Sequence, residues 1–237
     1  MNLPPADAIL LTPSRQFPLG GTIDLTQRLN LLKWAKDIDA MIIEDDYDSE
    51  IRFEAMPMTA IQGLDESGSV IYFGTFSKTL FAGLQCAYMV VPSRLCERLI
   101  NFRNLVDRRA VTFVEEALAN FINGGHYARH LRRSSKIVKK NRDALVKGLK
   151  SGKGKNLMHL TPLRQGLHLT LLLDKNINDV TLEAKLQKAG FAVRAISHYC
   201  RNAHENGLLV GYCGFSPELY DQAGKTISDI IGNYEQL

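Results

Sequence analysis

Lys78 is the residue of this sequence with the most chemistry within its reach. It follows an apolar run, Val70-Ile71-Tyr72-Phe73, and ends the segment Gly74-Thr75-Phe76-Ser77-Lys78, with hydroxyls three positions and one position before it. A lysine at the end of an apolar strand is ordinarily a solvated side chain with its stem laid along the surface. When partly buried, it loses some preference for its charged form, becomes a better nucleophile and can form a Schiff base with an aldehyde. Thr75 and Ser77 would then be placed to hold a phosphate on the same molecule. The second cluster is Glu44-Asp45-Asp46-Tyr47-Asp48, which follows Met41-Ile42-Ile43. A carboxylate at the end of a buried strand is costly unless a cation or hydrogen-bond donors face it. For Asp45 a pyridinium nitrogen would be such a partner, since the ion pair keeps the ring protonated and electron-withdrawing. Tyr47, two residues on and so on the same side of a continuing strand, would reach a phenolic oxygen of that ring. The acidic run also admits a Mg²⁺ site built from Glu44, Asp45, Asp46, Asp48 and Glu50. That chemistry wants a phosphate loop beside it, and Gly148-Leu149-Lys150-Ser151-Gly152-Lys153-Gly154 lacks the P-loop spacing and its Ser/Thr.

Both clusters depend on the elements that deliver them. Residues 8–12, 41–43, 70–73 and 87–91 read as short buried strands, the first ended by Pro13 and the last by Pro92. Thr22 or Asp24 caps a helix whose stripe is Leu25, Leu29 and Leu32. Short apolar strands separated by helices or long connections suggest parallel pairing with covered faces. Ligands of such sheets gather at the carboxyl ends of the strands, where both polar clusters lie. Helical patterns follow over residues 93–107, 112–123 and about 126–150. Ser151-Gly152-Lys153-Gly154-Lys155 reads as a linker. Beyond it, strands over 167–173, 191–196 and 208–213 alternate with helices over 181–189 and from Pro217, a small α+β domain.

Composition sets the outer limits. The chain has 237 residues, 45% apolar and 23% charged, with a net charge of +4, which fits a globular protein and neither a disordered nor a fibrous one. Its longest apolar runs are too short to cross a bilayer, and the first residues lack the pattern of a secretory signal. The four cysteines show no CxxC spacing, so reduced thiols in a cytoplasmic protein are expected. Residues 126–155 carry eleven Lys or Arg against one acid, Asp143. Leu131, Ile137, Val138, Leu145, Val146 and Leu149 fall near helical spacing there. A solvated helix face accounts for the charge better than a nucleic-acid surface, which would want interleaved aromatic residues.

With these residues in place, the chain resembles a specific family. Ile43-Glu44-Asp45-Asp46-Tyr47-Asp48-Ser49-Glu50 with Gly74-Thr75-Phe76-Ser77-Lys78-Thr79-Leu80 is similar to the fold-type-I aminotransferase-like domain of MocR-type regulators in the GntR superfamily. Thr12-Pro13-Ser14-Arg15-Gln16-Phe17-Pro18-Leu19-Gly20 resembles a third family segment, with Arg15 where a histidine is usual. Gly207-Leu208-Leu209-Val210-Gly211-Tyr212 is similar to the family's last strand. The resemblance implies an α/β fold: a truncated fold-type-I large domain over residues 1–125, a long helix and linker over 126–155, and a C-terminal small α+β domain over 156–237. It implies pyridoxal 5′-phosphate (PLP) as cofactor, with Lys78 as the Schiff-base lysine and Asp45 beside the pyridine nitrogen. Tyr47 would lie near the phenolic oxygen, with Thr75 and Ser77 at the phosphate. It also implies a homodimer that senses a small amino compound and contacts DNA only through an N-terminal winged-helix segment.

The sequence departs from that family in three ways. The arginine that usually follows the lysine by seven or eight positions and clamps the phosphate is replaced by Gln85 or Cys86. Loss of such a charge-assisted contact costs on the order of 1.5–3 kcal/mol, roughly one to two decades of affinity. Ile196-Ser197-His198-Tyr199 resembles a segment where the family often has arginine for a substrate or effector carboxylate, which makes His198 a weaker, pH-dependent candidate for that role. Finally, the segment that in the family supplies further strands, a phosphate-cradling loop and a ring-stacking aromatic does not precede Met1. Weak or absent cofactor binding by this chain alone is therefore expected. A PLP-dependent class I/II aminotransferase and a cofactor-free dimerising remnant remain alternatives. Phe17, standing where transaminases usually carry asparagine, favours the regulator.

Overall fold

The computed structural model describes residues 3–53, 58–107, 112–161, 164–201 and 205–234, which form two compact units. One holds the described residues within 1–16, 21–50 and 56–131, the other those within 17–20, 51–55 and 132–237.

The first unit is built on a four-stranded sheet of β1 (Ala8–Leu11), β2 (Met41–Asp46), β3 (Val70–Thr75) and β4 (Ala87–Val90), in that order. β1, β2 and β3 are parallel, and β4 joins antiparallel to β3. Parallel neighbours need crossover connections, supplied here by helix α1 (Leu25–Asp37) and by a loop carrying the short α2 (Ile61–Leu64). α1 starts where Asp24 accepts the backbone N–H of Gln27 while the Gln27 side chain accepts the N–H of Asp24, so two end donors are satisfied reciprocally. Its Leu31 and Ala35 pack with Ala40, Ile42, Ile61 and Val70 into the core of this unit. Along β2 the even-numbered residues are buried and the odd-numbered ones only partly so, the pattern of a strand covered on one face. Helices α3 (Ser93–Asp107), α4 (Thr112–Asn123) and α5 (His126–Ser151) follow. The α/β expectation holds, with a mixed, mostly parallel sheet.

The second unit carries an antiparallel sheet of β5 (Met158–Leu160), β6 (His168–Leu173), β7 (Arg194–Ala195) and β8 (Gly207–Gly211), in spatial order β5-β6-β8-β7. Helices α6 (Asp179–Lys188) and α7 (Pro217–Gly232) complete it. Leu169, Leu171, Leu182, Leu186, Ile196 and Leu208 are wholly buried. The strand expected over residues 191–196 shrinks to Arg194–Ala195, because the chain turns at once into a 3₁₀ segment, Ile196–Tyr199. The glycine-rich run expected as a linker is packed structure. Gly154 donates its N–H to the Ser228 carbonyl at 2.9 Å, and side chains added at Gly148, Gly152 and Gly154 would lie 2.1–2.5 Å from atoms of α7. Among the described residues no helix is long and apolar enough to cross a membrane.

Candidate cofactor site

In the sheet of the first unit, Asp45 is registered with Phe73 and Asp46 with Gly74. Paired residues project to the same side, so Asp45 shares a face with Phe73 and, two residues on, Thr75. Glu44 and Asp46 share the opposite face with Tyr72 and Gly74. Alternation has thus split the acidic run, and the two faces treat their carboxylates differently.

On the covered face every carboxylate is engaged. Glu44, wholly buried, accepts the N–H groups of Ile61 and Gln62 at 3.0 and 2.9 Å, with Arg28 at 3.6 Å. Burial raises its pKa, and those donors and the guanidinium oppose the rise. Asp46 accepts the hydroxyls of Ser49 at 2.7 Å and Tyr72 at 3.0 Å. Past the end of β2, Asp48 meets Arg15 at 2.9 Å, with both side chains almost inaccessible. Gly74 leaves room for the Tyr88 ring, 2.3 Å from where a Cβ would stand.

Asp45 is different. It is partly buried, and among the described residues no donor or cation meets its carboxylate. Burial, and after it the charge of Asp46, raise its pKa. Tyr47 donates its hydroxyl to the Arg15 carbonyl at 3.3 Å. Burial, reinforced by Asp48, pushes the Tyr47 phenol above its ordinary range.

The segment after β3 is pinned from both sides. Thr75 Oγ1 donates to the Cys86 carbonyl at 3.4 Å and accepts the N–H of Ser77 at 3.2 Å, and the N–H of Phe76 reaches Cys86 O at 3.0 Å. Further on, the Thr79 hydroxyl is bonded to that of Tyr127 at 2.9 Å, and His130 Nε2 lies 2.7 Å from the Thr79 carbonyl. Lys78 stands between these anchors with an exposed side chain and no bonded partner among the described residues. Gln85 takes a left-handed backbone conformation, φ 48°, and neither it nor Cys86 supplies a cation.

His198 belongs to the second unit, and Asp45, Tyr47, Thr75, Ser77 and Lys78 belong to the first. Its Nε2 is 2.7 Å from Glu183 Oε2, which leaves Nδ1 for any ligand. Glu183 also accepts the Ala195 N–H at 3.1 Å. Asp179, one helical turn earlier, accepts the Ser197 N–H at 3.0 Å, the Ser197 hydroxyl at 2.7 Å and the Gly207 N–H at 3.1 Å. Two carboxylates on one face of α6 therefore hold the segment that carries His198. Sequence reasoning missed them, and it missed the Arg15–Asp48 pair. Acids spaced by four on a helix look like a solvated face, and a pair 33 residues apart leaves no local signal.

The donor set fits the cofactor. A carboxylate without a partner suits a protonated ring nitrogen, and a free amine in a pinned turn suits an aldehyde. Of the carboxylates in the Mg²⁺ reading, Glu44, Asp46 and Asp48 are engaged with protein donors. Among the described residues no three His, Cys, Asp or Glu side chains are grouped to hold a metal.

The chain is 36% identical over 211 residues to the HTH-type transcriptional regulator YhdI of Bacillus subtilis (strain 168), covering 87% of this chain and 44% of that protein. It is 34% identical over 211 residues to the probable rhizopine catabolism regulatory protein MocR of Rhizobium meliloti, covering 89% of this chain and 43% of that one. It thus spans less than half the length of these relatives. The crystal structure of kynurenine aminotransferase from Pyrococcus horikoshii matches 98% of this chain and 57% of its own, with a TM-score of 0.88 at 24% identity. The aminotransferase class I and II family pattern matches residues 2–227, and with the fold and the relatives in agreement, the chain belongs to the aminotransferase class I and II family.

Proposed function

We propose that this chain is the PLP-binding, aminotransferase-like effector portion of a MocR-type transcriptional regulator. The observation that carries this reading is Asp45, a partly buried carboxylate at the carboxyl end of β2 that no donor or cation meets among the described residues. Its surroundings offer that carboxylate no stabilising partner. When bound, the cofactor supplies an aldehyde that reacts reversibly with amines and a ring that withdraws electrons once protonated. Lys78 offers its Nζ amine to that aldehyde. Asp45 holds the proton on the ring nitrogen. Tyr47 lies two residues beyond Asp45, where its hydroxyl can turn from the Arg15 carbonyl to the phenolic oxygen. Ser77 and Thr75 offer hydroxyls to the phosphate, and the bonds through Cys86 fix the turn that presents them.

The effector of such a domain would carry a primary amine, the group that the cofactor's aldehyde recognises, and Lys78 would be the residue of this chain whose state reports it. In the second unit, His198 Nδ1 is the candidate partner for an effector carboxylate. DNA contact belongs to a further segment of the HTH type, and the working assembly is a homodimer in the cytoplasm. A second reading, a PLP-dependent aminotransferase, draws on the family match over residues 2–227. In that case Lys78 also moves the substrate α-proton.

Titration of the chain with PLP tests the reading, with Lys78→Ala alongside. An absorption band near that of PLP–lysine adducts, and a pyridoxyl mark fixed by borohydride on the peptide containing Lys78, are expected. A mark on another lysine would overturn it, and no mark on folded protein would favour the cofactor-free remnant. Keto-acid production from amino donors, lost in Lys78→Ala, would move the chain to the enzyme reading.

A further inference from the structure

Lys78 lies three residues beyond the end of β3, and β4 begins only at Ala87. Strand register therefore does not fix where its amine stands. Among residues 75–91 Thr79 alone is buried, at 4% exposure, so the partners of Thr79 decide the position of its neighbour Lys78. Two of them come from the start of α5, three positions apart on one face of that helix. The Tyr127 hydroxyl is 2.9 Å from Thr79 Oγ1, and His130 Nε2 is 2.7 Å from the Thr79 carbonyl. The direction of the first bond follows from counting protons. The Thr79 hydroxyl has one, which it gives to the Phe76 carbonyl at 3.3 Å. Tyr127 must then be the donor, and burial keeps it one by raising the pKa of that phenol. A carbonyl only accepts, so His130 carries a proton on Nε2.

Ring contacts carry the same hold across to the other half of the site. The Tyr127 ring meets Phe76 edge-on at 5.6 Å between centroids, Phe76 lies 5.5 Å from Tyr88, and Tyr88 lies 6.1 Å from Tyr72. Tyr72 donates its hydroxyl to Asp46, next to Asp45. Close-packed rings pass on a displacement instead of absorbing it. One aromatic layer thus joins the residue beside Lys78 to the residue beside Asp45.

We infer that Tyr127 is a positioning residue for Lys78: its hydroxyl bond to Thr79 holds the turn that presents the lysine amine to the cofactor's aldehyde. The inference rests on the cofactor reading for what the amine meets, and on geometry alone for what holds the turn. The sequence carries no local cue to this bond, because 48 residues separate the two hydroxyls.

A double-mutant cycle of Tyr127→Phe and Thr79→Val tests it, since phenylalanine keeps a ring against Phe76 and loses only the donor. The first readout needs no cofactor. The Leu80 amide is bonded to the Phe76 carbonyl at 2.9 Å, and its hydrogen exchange should quicken about fivefold in Tyr127→Phe, the size of one ordinary hydrogen bond. Tyr127→Phe should add nothing once Thr79→Val is present, and Thr79→Ser, which keeps the oxygen, should match the parent. A full effect of Tyr127→Phe in the Thr79→Val background, or none in the parent, would overturn the inference.

The second readout is the borohydride-fixed mark on Lys78 at subsaturating PLP. It should fall by a similar factor in Tyr127→Phe, while acetic anhydride, which any exposed amine accepts, labels Lys78 equally in variant and parent. Undiminished PLP marking, or a parallel loss of acetylation, would show that the hydroxyl does not orient the amine, and the inference fails. Coupled exchange in a chain that takes no PLP at Lys78 would leave the hold on the turn established and count against the cofactor reading.

Discussion

Replacing Asp45 by asparagine separates ligand chemistry from folding at one position. Burial first, and Asp46 second, raise the pKa of this carboxyl above its ordinary 3.8, so the folded chain holds the proton more tightly than the unfolded chain. A carboxyl shifted in that direction adds stability below its unfolded-state pKa and withdraws it as pH rises through the higher folded value. At pH 7 the ionised side chain is therefore a net cost to folding. Asp45→Asn is expected to match or exceed the parent chain in urea midpoint at pH 7, and the difference should close on acidification toward pH 4. Toward the cofactor the same change acts in the opposite sense. The position loses a charge-assisted bond of about 1.5–3 kcal/mol, roughly one to two decades in Kd for PLP. Asp48→Asn provides the contrast, because it leaves Arg15 facing a neutral group in a pair only 2% and 1% exposed. Breaking such a pair costs about 3–5 kcal/mol. Urea unfolding at both pH values and spectroscopic PLP titration read the two effects. A stability loss in Asp45→Asn as large as that in Asp48→Asn would show that Asp45 is a structural carboxylate, and an unchanged PLP affinity would remove its role at the ring nitrogen.

Lys78→Ala should leave the unfolding free energy within about 0.5 kcal/mol of the parent, as expected of an exposed side chain without partners, while abolishing the borohydride mark. Gly148→Ala places a methyl carbon 2.1 Å from the Asp221 carbonyl oxygen; a loss of about 1–3 kcal/mol by calorimetry is expected, and wild-type stability would refute the packing described. Glu183→Ala strips the Ala195 N–H and His198 of their acceptor, so amide exchange at Ala195 should accelerate, at a cost of about 1–3 kcal/mol. Unchanged exchange there would show that β7 is held by its strand pairing alone.

How far the sequence spoke depended on the range of each signal. The strands ending at Asp45 and Thr75 were legible because apolar runs closed by polar clusters are local patterns, and the cluster positions pointed to one end of one sheet. A period of two divides Asp45 from Glu44 and Asp46, but which face of β2 is covered depends on where α1 and α2 pack. α2 itself, four residues long, has no periodicity to read. The role of Arg15 was hidden in its distance from Asp48, and His198 could not announce that Glu183, fifteen residues earlier, already holds one of its nitrogens. β7 shortened because Phe191 and Val193 give their N–H groups to the Leu186 and Phe191 carbonyls, and Ile196 turns into the 3₁₀ segment.

The glycine-rich end of α5 was the largest misreading, and it has a mechanical consequence. A side chain at Gly148, Gly152, Gly154, Gly224 or Gly232 would collide with the opposing segment at 2.1–2.7 Å, so main chain lies directly on main chain along this seam. Side chains give way by changing rotamer, whereas peptide planes in contact have no such slack. α7 cannot slide or roll on the α5 end of the seam by small steps. Any rearrangement of the second unit must carry the two as a single strut or part them altogether, which makes the seam a brake on gradual motion and its five glycines positions where a larger residue would force the segments apart.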